Sequence, residues 1–152
     1  MNATAGYSGT PLPKKLGIVE GASLVVLSVP TPAPEGLSSE LPPGLSTELP
    51  DGVVAKRRAR GHADVVVAFF TRRTDLQKRI VVLGNMIFPS GGLWIAWPKR
   101  SSGVPTDLTD QTIREVALPE GLVDNKVCAI DETWSGLRVV WRRERRGAPG
   151  LP

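Results

Sequence analysis

A polar loop in the middle of the chain combines residue types that can hold an anion. It follows an apolar run, residues 93–97, which predicts a strand buried on both faces. A cation, hydroxyl groups and the N–H groups at a helix start can together bind a phosphate or a carboxylate. In an open α/β sheet, ligands bind beyond the carboxyl ends of the strands. The candidate ligand-binding residues of this loop are Lys99, Ser101, Ser102, Gly103 and Asp107.

The same loop has a simpler interpretation. Serine hydroxyls often bond to their own backbone, and the loop would then be solvated and bind nothing. Asp107 and Asp110 also compete with an external anion for the helix N–H groups. Both interpretations are therefore kept.

A second group of candidate residues lies near the C-terminus, in the connection between the last two predicted strands. It contains Asp131, Glu132 and Trp134. Paired carboxylates perform acid–base chemistry only when their pKa values are shifted and a substrate is positioned. Trp134 can stack on a ligand ring or cover the sheet edge, and the acidic residues can be ordinary exposed turn residues. We assign this group to ligand binding and not to catalysis.

No catalytic or metal site is predicted. His62 is the only histidine, so any Ser–His–acid arrangement would depend on it, and no second His or Cys ligand lies nearby. Cys128 is the only cysteine and falls in an apolar strand run, which favours buried packing over a nucleophile.

Strand and helix patterns alternate along most of the chain. Strands are predicted at residues 23–29, 53–57, 64–71, 93–97, 123–131 and 137–143, and helices at 10–17, from a capping box at 74–77 to about 89, and from Thr106 or Asp107 to about 118. A helical turn is expected at 37–41. Residues 132–136 are short enough to join the last two strands as an antiparallel hairpin. The fold class is α/β: a three-layer Rossmann-like open sheet, mostly parallel, with a C-terminal antiparallel hairpin.

One domain accounts for the 152 residues. We expect a flexible segment at 1–9, a single domain at 10–146 and a disordered tail at 147–152. The longest apolar run, residues 63–70, is too short to span a bilayer, and the N-terminus lacks a signal-peptide pattern, so a cytoplasmic protein without a membrane partner is expected.

The formal net charge is +4, and the cations are clustered. Nucleic acid is one partner that such clusters can serve, through phosphate contacts. The alternative is solvated strand ends and a basic tail. The candidate nucleic-acid residues are Lys56, Arg57, Arg58, Arg60, Arg142 and Arg143.

Four motifs resemble those of an uncharacterised family of small actinobacterial proteins. They are residues 7–12 (YSGTPL), 14–17 (KKLG), 97–108 (WPKRSSGVPTDL) and 131–137 (DETWSGL). The resemblance runs from Tyr7 to about Arg143, and residues 32–50 depart most from the family pattern. It implies a cytoplasmic protein and transfers no activity.

The order of elements also resembles, more distantly, the class I methyltransferase sheet. Two features depart from that likeness. Residues 30–36 carry three prolines where methyl-donor-binding proteins commonly have a glycine-rich turn, and Lys56 and Arg57 stand where an acidic residue would meet a ribose.

Three hypotheses follow. The first is a protein that binds a small anionic ligand or a protein partner at the carboxyl end of its sheet, without demonstrated catalysis and with an unknown cofactor. The second is a divergent or degenerate S-adenosylmethionine-dependent methyltransferase. The third is an RNA- or ribosome-associated basic protein.

Overall fold

A six-stranded sheet runs through the middle of the protein. The computed structural model describes residues 12–30, 50–56 and 58–146. The strands are β1 (Ser23–Leu27), β2 (Val54–Lys56), β3 (Val65–Phe69), β4 (Gly92–Pro98), β5 (Leu122–Ala129) and β6 (Trp134–Trp141). Their order across the sheet is β2-β1-β3-β4-β6-β5. The first four in this order are parallel, and β6 is antiparallel to both β4 and β5.

The predicted fold class is confirmed, and β4 occupies the interior place expected for it. It lies between β3 and β6, and residues 93–96 have no exposed surface. An apolar run that contacts neighbours on both faces is what a central strand of an α/β sheet requires.

Within the ranges that the structure describes, three α-helices cover the sheet: α1 (Leu12–Lys15), α2 (Arg73–Ile87) and α3 (Asp110–Ala117). Alternate strand residues point to opposite faces, and they divide the interior into two clusters. Leu93 and Ile95 of β4 pack with α2 and α3, whereas Trp94 and Ala96 pack with residues that follow α1. The predicted stripe of α2 is buried, with Leu76, Ile80, Leu83 and Ile87 at most 3% exposed.

The predicted helix caps are wrong. Thr74 lies inside α2, and Arg72 is the N-cap without a side-chain hydrogen bond. A carboxylate from another loop replaces the cap, because the backbone N–H of Arg73 donates to Asp107 Oδ1 at 2.8 Å. The cap of α3 is Thr109, whose hydroxyl accepts a hydrogen bond from Thr112 N at 3.1 Å.

Some expectations concern residues outside the described ranges. These are the flexible segment at 1–9, the helical turn at 37–41, Arg57 and the tail at 147–152. They stay predictions.

Candidate ligand-binding cleft

A cleft of about 670 Å³ opens at the carboxyl ends of β1 and β3. Five segments line it: the end of β1, the end of β3, the first turns of α2, the loop that follows β4, and the loop that follows β5 with the start of β6. The lining residues are Ser28, Pro30, Phe69, Phe70, Thr71, Asp75, Lys78, Arg79, Val104, Asp131, Thr133 and Trp134. The volume falls in the range of small-molecule sites.

Aromatic rings form the floor of the cleft. The rings of Phe69 and Trp134 meet edge to face, with centroids 5.1 Å apart and planes at 86°. Both residues are nearly buried, with exposed fractions of 3% and 6%. Edge-to-face packing fixes both rings, so the floor presents a rigid apolar surface.

Cations line the α2 wall of the cleft. Lys78 is exposed and Arg79 is half-buried. The neighbouring Asp75 is engaged elsewhere, because its carboxylate pairs with Arg72 at 3.4 Å. No ion pair among the described residues includes Lys78 or Arg79. The cleft lining thus holds two cations and two carboxylates, and because Asp75 and Asp131 are each engaged by other groups, Lys78 and Arg79 are the groups that can bind an anionic ligand.

Asp131 shapes the opposite rim. Its Oδ1 accepts hydrogen bonds from Thr133 N at 2.8 Å and Trp134 N at 2.7 Å. The carboxylate thereby fixes the loop between β5 and β6, which is residues 130–133 and not the predicted 132–136, because Trp134 already belongs to β6. Glu132 is exposed and does not line the cleft. Of the three residues predicted here, the structure brings Asp131 and Trp134 into one cleft.

Ser28 is the residue at which the chain leaves β1 and enters the cleft rim. Its φ of 58° is left-handed, and within the described ranges it is the only non-glycine residue with positive φ. This conformation is costly for a residue with a Cβ, and such strain clusters at functional sites. Among the described non-glycine residues, the single left-handed backbone conformation therefore lies at the cleft.

The loop after β4 uses its polar groups internally. The Ser102 hydroxyl donates to the Lys99 carbonyl at 2.7 Å and accepts from Val104 N at 3.1 Å. Gly103 takes a φ of 77° to close this turn, and Asp107 caps α2. Lys99, Ser101, Ser102, Gly103 and Asp107 do not line the cleft, which this loop reaches through Val104. The hydrogen bonds of Ser102 agree with the simpler interpretation, in which the serine hydroxyls of the loop bond to its own backbone. The binding role of these five residues stays a prediction.

The two predicted basic clusters lie apart. Lys56 ends β2 at one edge of the sheet, and Arg58 and Arg60 follow it on the surface. Arg142 and Arg143 follow β6, which runs in the opposite direction four places away in the strand order. The described cations of the two clusters therefore face different ends of the sheet, and their role in nucleic-acid binding stays a prediction.

His62 is exposed, and Cys128 is half-buried in β5. Burial raises the pKa of the Cys128 thiol, and Lys15 and Lys126 partly oppose that rise. Within residues 12–30, 50–56 and 58–146, no three His, Cys, Asp or Glu side chains converge to hold a metal ion. None of the helices in those ranges is long and apolar enough to cross a membrane.

Sequence reasoning missed Lys78, Arg79, Phe69 and Phe70. The aromatic pair falls within the predicted strand 64–71 and the two cations within the predicted helix that begins at 74–77, and neither pair carries a functional motif. Their position in the sequence could have indicated a site. Phe69 and Phe70 lie at the carboxyl end of β3, and Lys78 and Arg79 lie within the first two turns of α2, the helix that follows. Only the strand order shows that these segments face the end of β1.

No family model and no curated protein sequence matches this chain. Solved structures do. A SAM-dependent methyltransferase from Aquifex aeolicus superposes with a TM-score of 0.55 at 15% identity, covering 83% of this chain and 85% of that one. A TehB-like SAM-dependent methyltransferase from Corynebacterium glutamicum gives 0.55 at 9% identity, with 91% of each chain covered.

Magnesium protoporphyrin IX methyltransferase from Synechocystis gives a TM-score of 0.54 at 11% identity, covering 86% of this chain and 74% of that one. Identities this low show the fold alone. The class is thus defined: a Rossmann-like α/β protein with the methyltransferase type of sheet. The resemblance to a particular actinobacterial family stays a prediction.

Proposed function

We propose that the protein binds a small anionic ligand in the cleft, with an apolar or ring portion against Phe69 and Trp134 and the anionic group at Lys78 and Arg79. One observation carries the proposal: two cations without a described carboxylate partner stand beside a rigid aromatic floor. Charge-assisted hydrogen bonds to such cations are about twice as strong as neutral ones. Catalysis is not part of this proposal.

The position of the cleft supports the same function. After β1 the chain adds β2 on one side, and it then returns to add β3 on the other side. The strand order therefore reverses between β1 and β3, and open α/β sheets bind ligands at this switch point. Ser28 and Pro30, which follow β1, line the cleft here together with residues 69–71 at and just after the end of β3.

A second candidate function is S-adenosylmethionine-dependent methyl transfer, which the likeness to methyltransferase structures favours. The residues present do not fit that ligand well. The chain leaves β1 through Ser28, Val29 and Pro30, where no glycine exposes the backbone and the proline has no N–H. β2 ends at Lys56, a cation where a carboxylate would meet the ribose hydroxyls. We therefore derive no transfer step.

The first experiment measures ligand-induced stabilisation in Lys78→Gln and Arg79→Gln variants. Adenosine monophosphate, which joins a ring to a phosphate, serves as the probe in a thermal melt, with benzoate as a smaller anion. We expect both to raise the Tm of the wild type. Each substitution should weaken binding about tenfold, the effect of one charge-assisted contact.

Arg60→Gln, an exposed cation away from the cleft, is the matched control and should keep the full shift. A shift of equal size in Arg79→Gln and wild type would overturn the cleft assignment. Lys99→Ala separates the alternatives, because only the loop site predicted from sequence loses its ligand in that variant. Isothermal titration with S-adenosylmethionine tests the second candidate, which is rejected if no heat of binding is measured at high protein concentration.

A further inference from the structure

A second group of cations surrounds a small cavity on the α1 side of the sheet. The cavity measures about 220 Å³, and Lys15, Trp94, Asn125, Lys126 and Arg138 are among its lining residues. None of its lining residues is acidic. It shares no residue with the cleft, and along β6 Arg138 lies four residues, or about 13 Å, from Trp134.

Two of these cations are placed directly opposite each other. Lys126 of β5 pairs in register with Arg138 of β6, so both side chains leave the same face of the sheet. A bulge between Asp124 and Lys126 creates this pairing, because it leaves Asn125 out of the ladder. Like charges directly opposite each other destabilise an antiparallel pair. The arrangement therefore has a cost to folding that an anion would offset.

The side chain of Arg138 lies against the backbone of β4. Its guanidinium occupies the space of the missing side chain of Gly92, where a Cβ would lie 2.5 Å from Nε and 2.7 Å from Cζ. Burial lowers the pKa of Arg138, and nearby Arg146 lowers it further. Among the described residues no carboxylate pairs with Arg138, and Arg146 Nε is buried without a hydrogen-bond partner.

Backbone carbonyls fix the two lysine ammonium groups at the cavity. Lys15 Nζ donates to the Ala129 carbonyl at 2.7 Å, and Lys126 Nζ donates to the Lys15 carbonyl at 3.3 Å. The Trp94 indole N–H donates to the Leu16 carbonyl at 2.9 Å and anchors the end of α1. An ammonium group has three donors, and Lys126 uses one of them for the Lys15 carbonyl, so Lys126 keeps donors for a ligand.

We propose that this cavity is a binding site for a small oxyanion, a phosphate group above all, held by Arg138 and Lys126 with Lys15 at its rim. The cavity is small: 220 Å³ corresponds to about seven water molecules at about 30 Å³ each, less than most cofactor sites offer. A planar guanidinium suits two phosphate oxygens at once, and an ammonium suits a third.

The test titrates inorganic phosphate at constant ionic strength and follows binding by phosphorus-31 NMR line width. We expect saturable binding to the wild type. Arg138→Gln and Lys126→Gln should each weaken binding about tenfold. Gly92→Ala should weaken it as well, although it removes no charge, because its Cβ displaces the guanidinium. Circular dichroism without phosphate verifies that each variant is folded.

Two further variants distinguish this site from the cleft. Arg100→Gln removes an exposed cation elsewhere and should leave phosphate binding unchanged. Arg79→Gln removes a cation of the cleft, so any phosphate binding that this variant loses belongs to the cleft and not to the cavity. Phosphate binding that is lost in Arg79→Gln and retained in Lys126→Gln would overturn the proposal while supporting the cleft. The absence of saturable binding to the wild type would overturn it as well.

Discussion

Two arginines on opposite faces of the sheet have contrasting surroundings. Arg114 of α3 has two carboxylate partners, with Nη1 3.1 Å from Asp110 Oδ2 and Nε 3.1 Å from Asp124 Oδ2. The hydrogen bond to Asp124 is the main cause of its raised pKa. Arg138 of β6 lies opposite Lys126 and beside Arg146, and its pKa is lowered. An arginine with carboxylate partners holds elements together, whereas one surrounded by cations is available to a ligand.

One strand supplies both environments. Asp124 and Lys126 are separated only by the bulged Asn125, and they serve opposite faces: Asp124 meets α3, and Lys126 meets Arg138. Because of the bulge, an ion pair on one face of the sheet and a candidate binding site on the other face are formed by residues only two positions apart in β5. The predictions below alter one side or the other of this contrast.

The largest effect is expected for Gly91→Ala. A Cβ there would lie 2.8 Å from the Asp64 carbonyl oxygen and 2.9 Å from that of Ala63. Backbone atoms cannot move aside cheaply, so the free energy of unfolding should fall by about 1–3 kcal/mol. Urea denaturation measures this change.

Gly92→Ala is the matched control for that measurement. Its Cβ meets the flexible end of Arg138 and not backbone, so stability should change much less than in Gly91→Ala. Equal losses of stability in the two alanine variants would contradict the role assigned to Gly92.

Smaller changes in the free energy of unfolding, of opposite sign, are expected for substitutions at Asp124 and Lys126, the residues before and after the bulge. Lys126→Glu replaces a like-charge pair with an opposite-charge pair across from Arg138, and it should stabilise the phosphate-free protein by about 0.2–1 kcal/mol. Asp124→Asn removes a carboxylate partner of Arg114 and should lower the free energy of unfolding of the protein. Denaturation at low and high salt checks both, since screening should reduce each difference. If Lys126→Glu lowers stability at low salt, the two cations do not repel each other.

The smallest effect concerns the thiol beside the cation cavity. The thiolate is the reactive form of cysteine, and burial raises the pKa of Cys128, so alkylation by iodoacetamide at pH 8 should be slower than that of a free thiol. Lys126 lowers that pKa. Lys126→Gln should therefore slow alkylation further, on the order of twofold. An unchanged rate would show that Lys126 does not act on the thiol.

Much of the fold could be predicted because its signals are local. The β4 run is apolar at every position, and the stripe of α2 repeats at helical spacing, so each pattern indicates its element without knowledge of the partners. The hairpin followed from the short connection between the last strands. The cap of α2 was predicted wrongly because the group that accepts a hydrogen bond from Arg73 N is the Asp107 carboxylate, which lies 34 residues away along the chain.

The sites were harder to predict because they depend on neighbours in space. Asp131 and Trp134 were singled out by residue type, but Lys78 and Arg79 resemble any exposed helical cations until the strand order places them beside β1. The bulge at Asn125 also changes which residues face each other. A regular antiparallel register that continues from the pair Asp124–Val139 would place Asn125, and not Lys126, opposite Arg138.

The cap that Asp107 provides also limits how the cleft can open. Thr106 Oγ1 donates to the Thr71 carbonyl at 2.7 Å, and Arg73 N donates to Asp107 at 2.8 Å. These bonds tie the loop after β4 to the start of α2, so neither can swing outward without exposing unpaired amides. Among the described residues, any opening of the cleft therefore has to come from a part of its lining other than the loop after β4 and the start of α2.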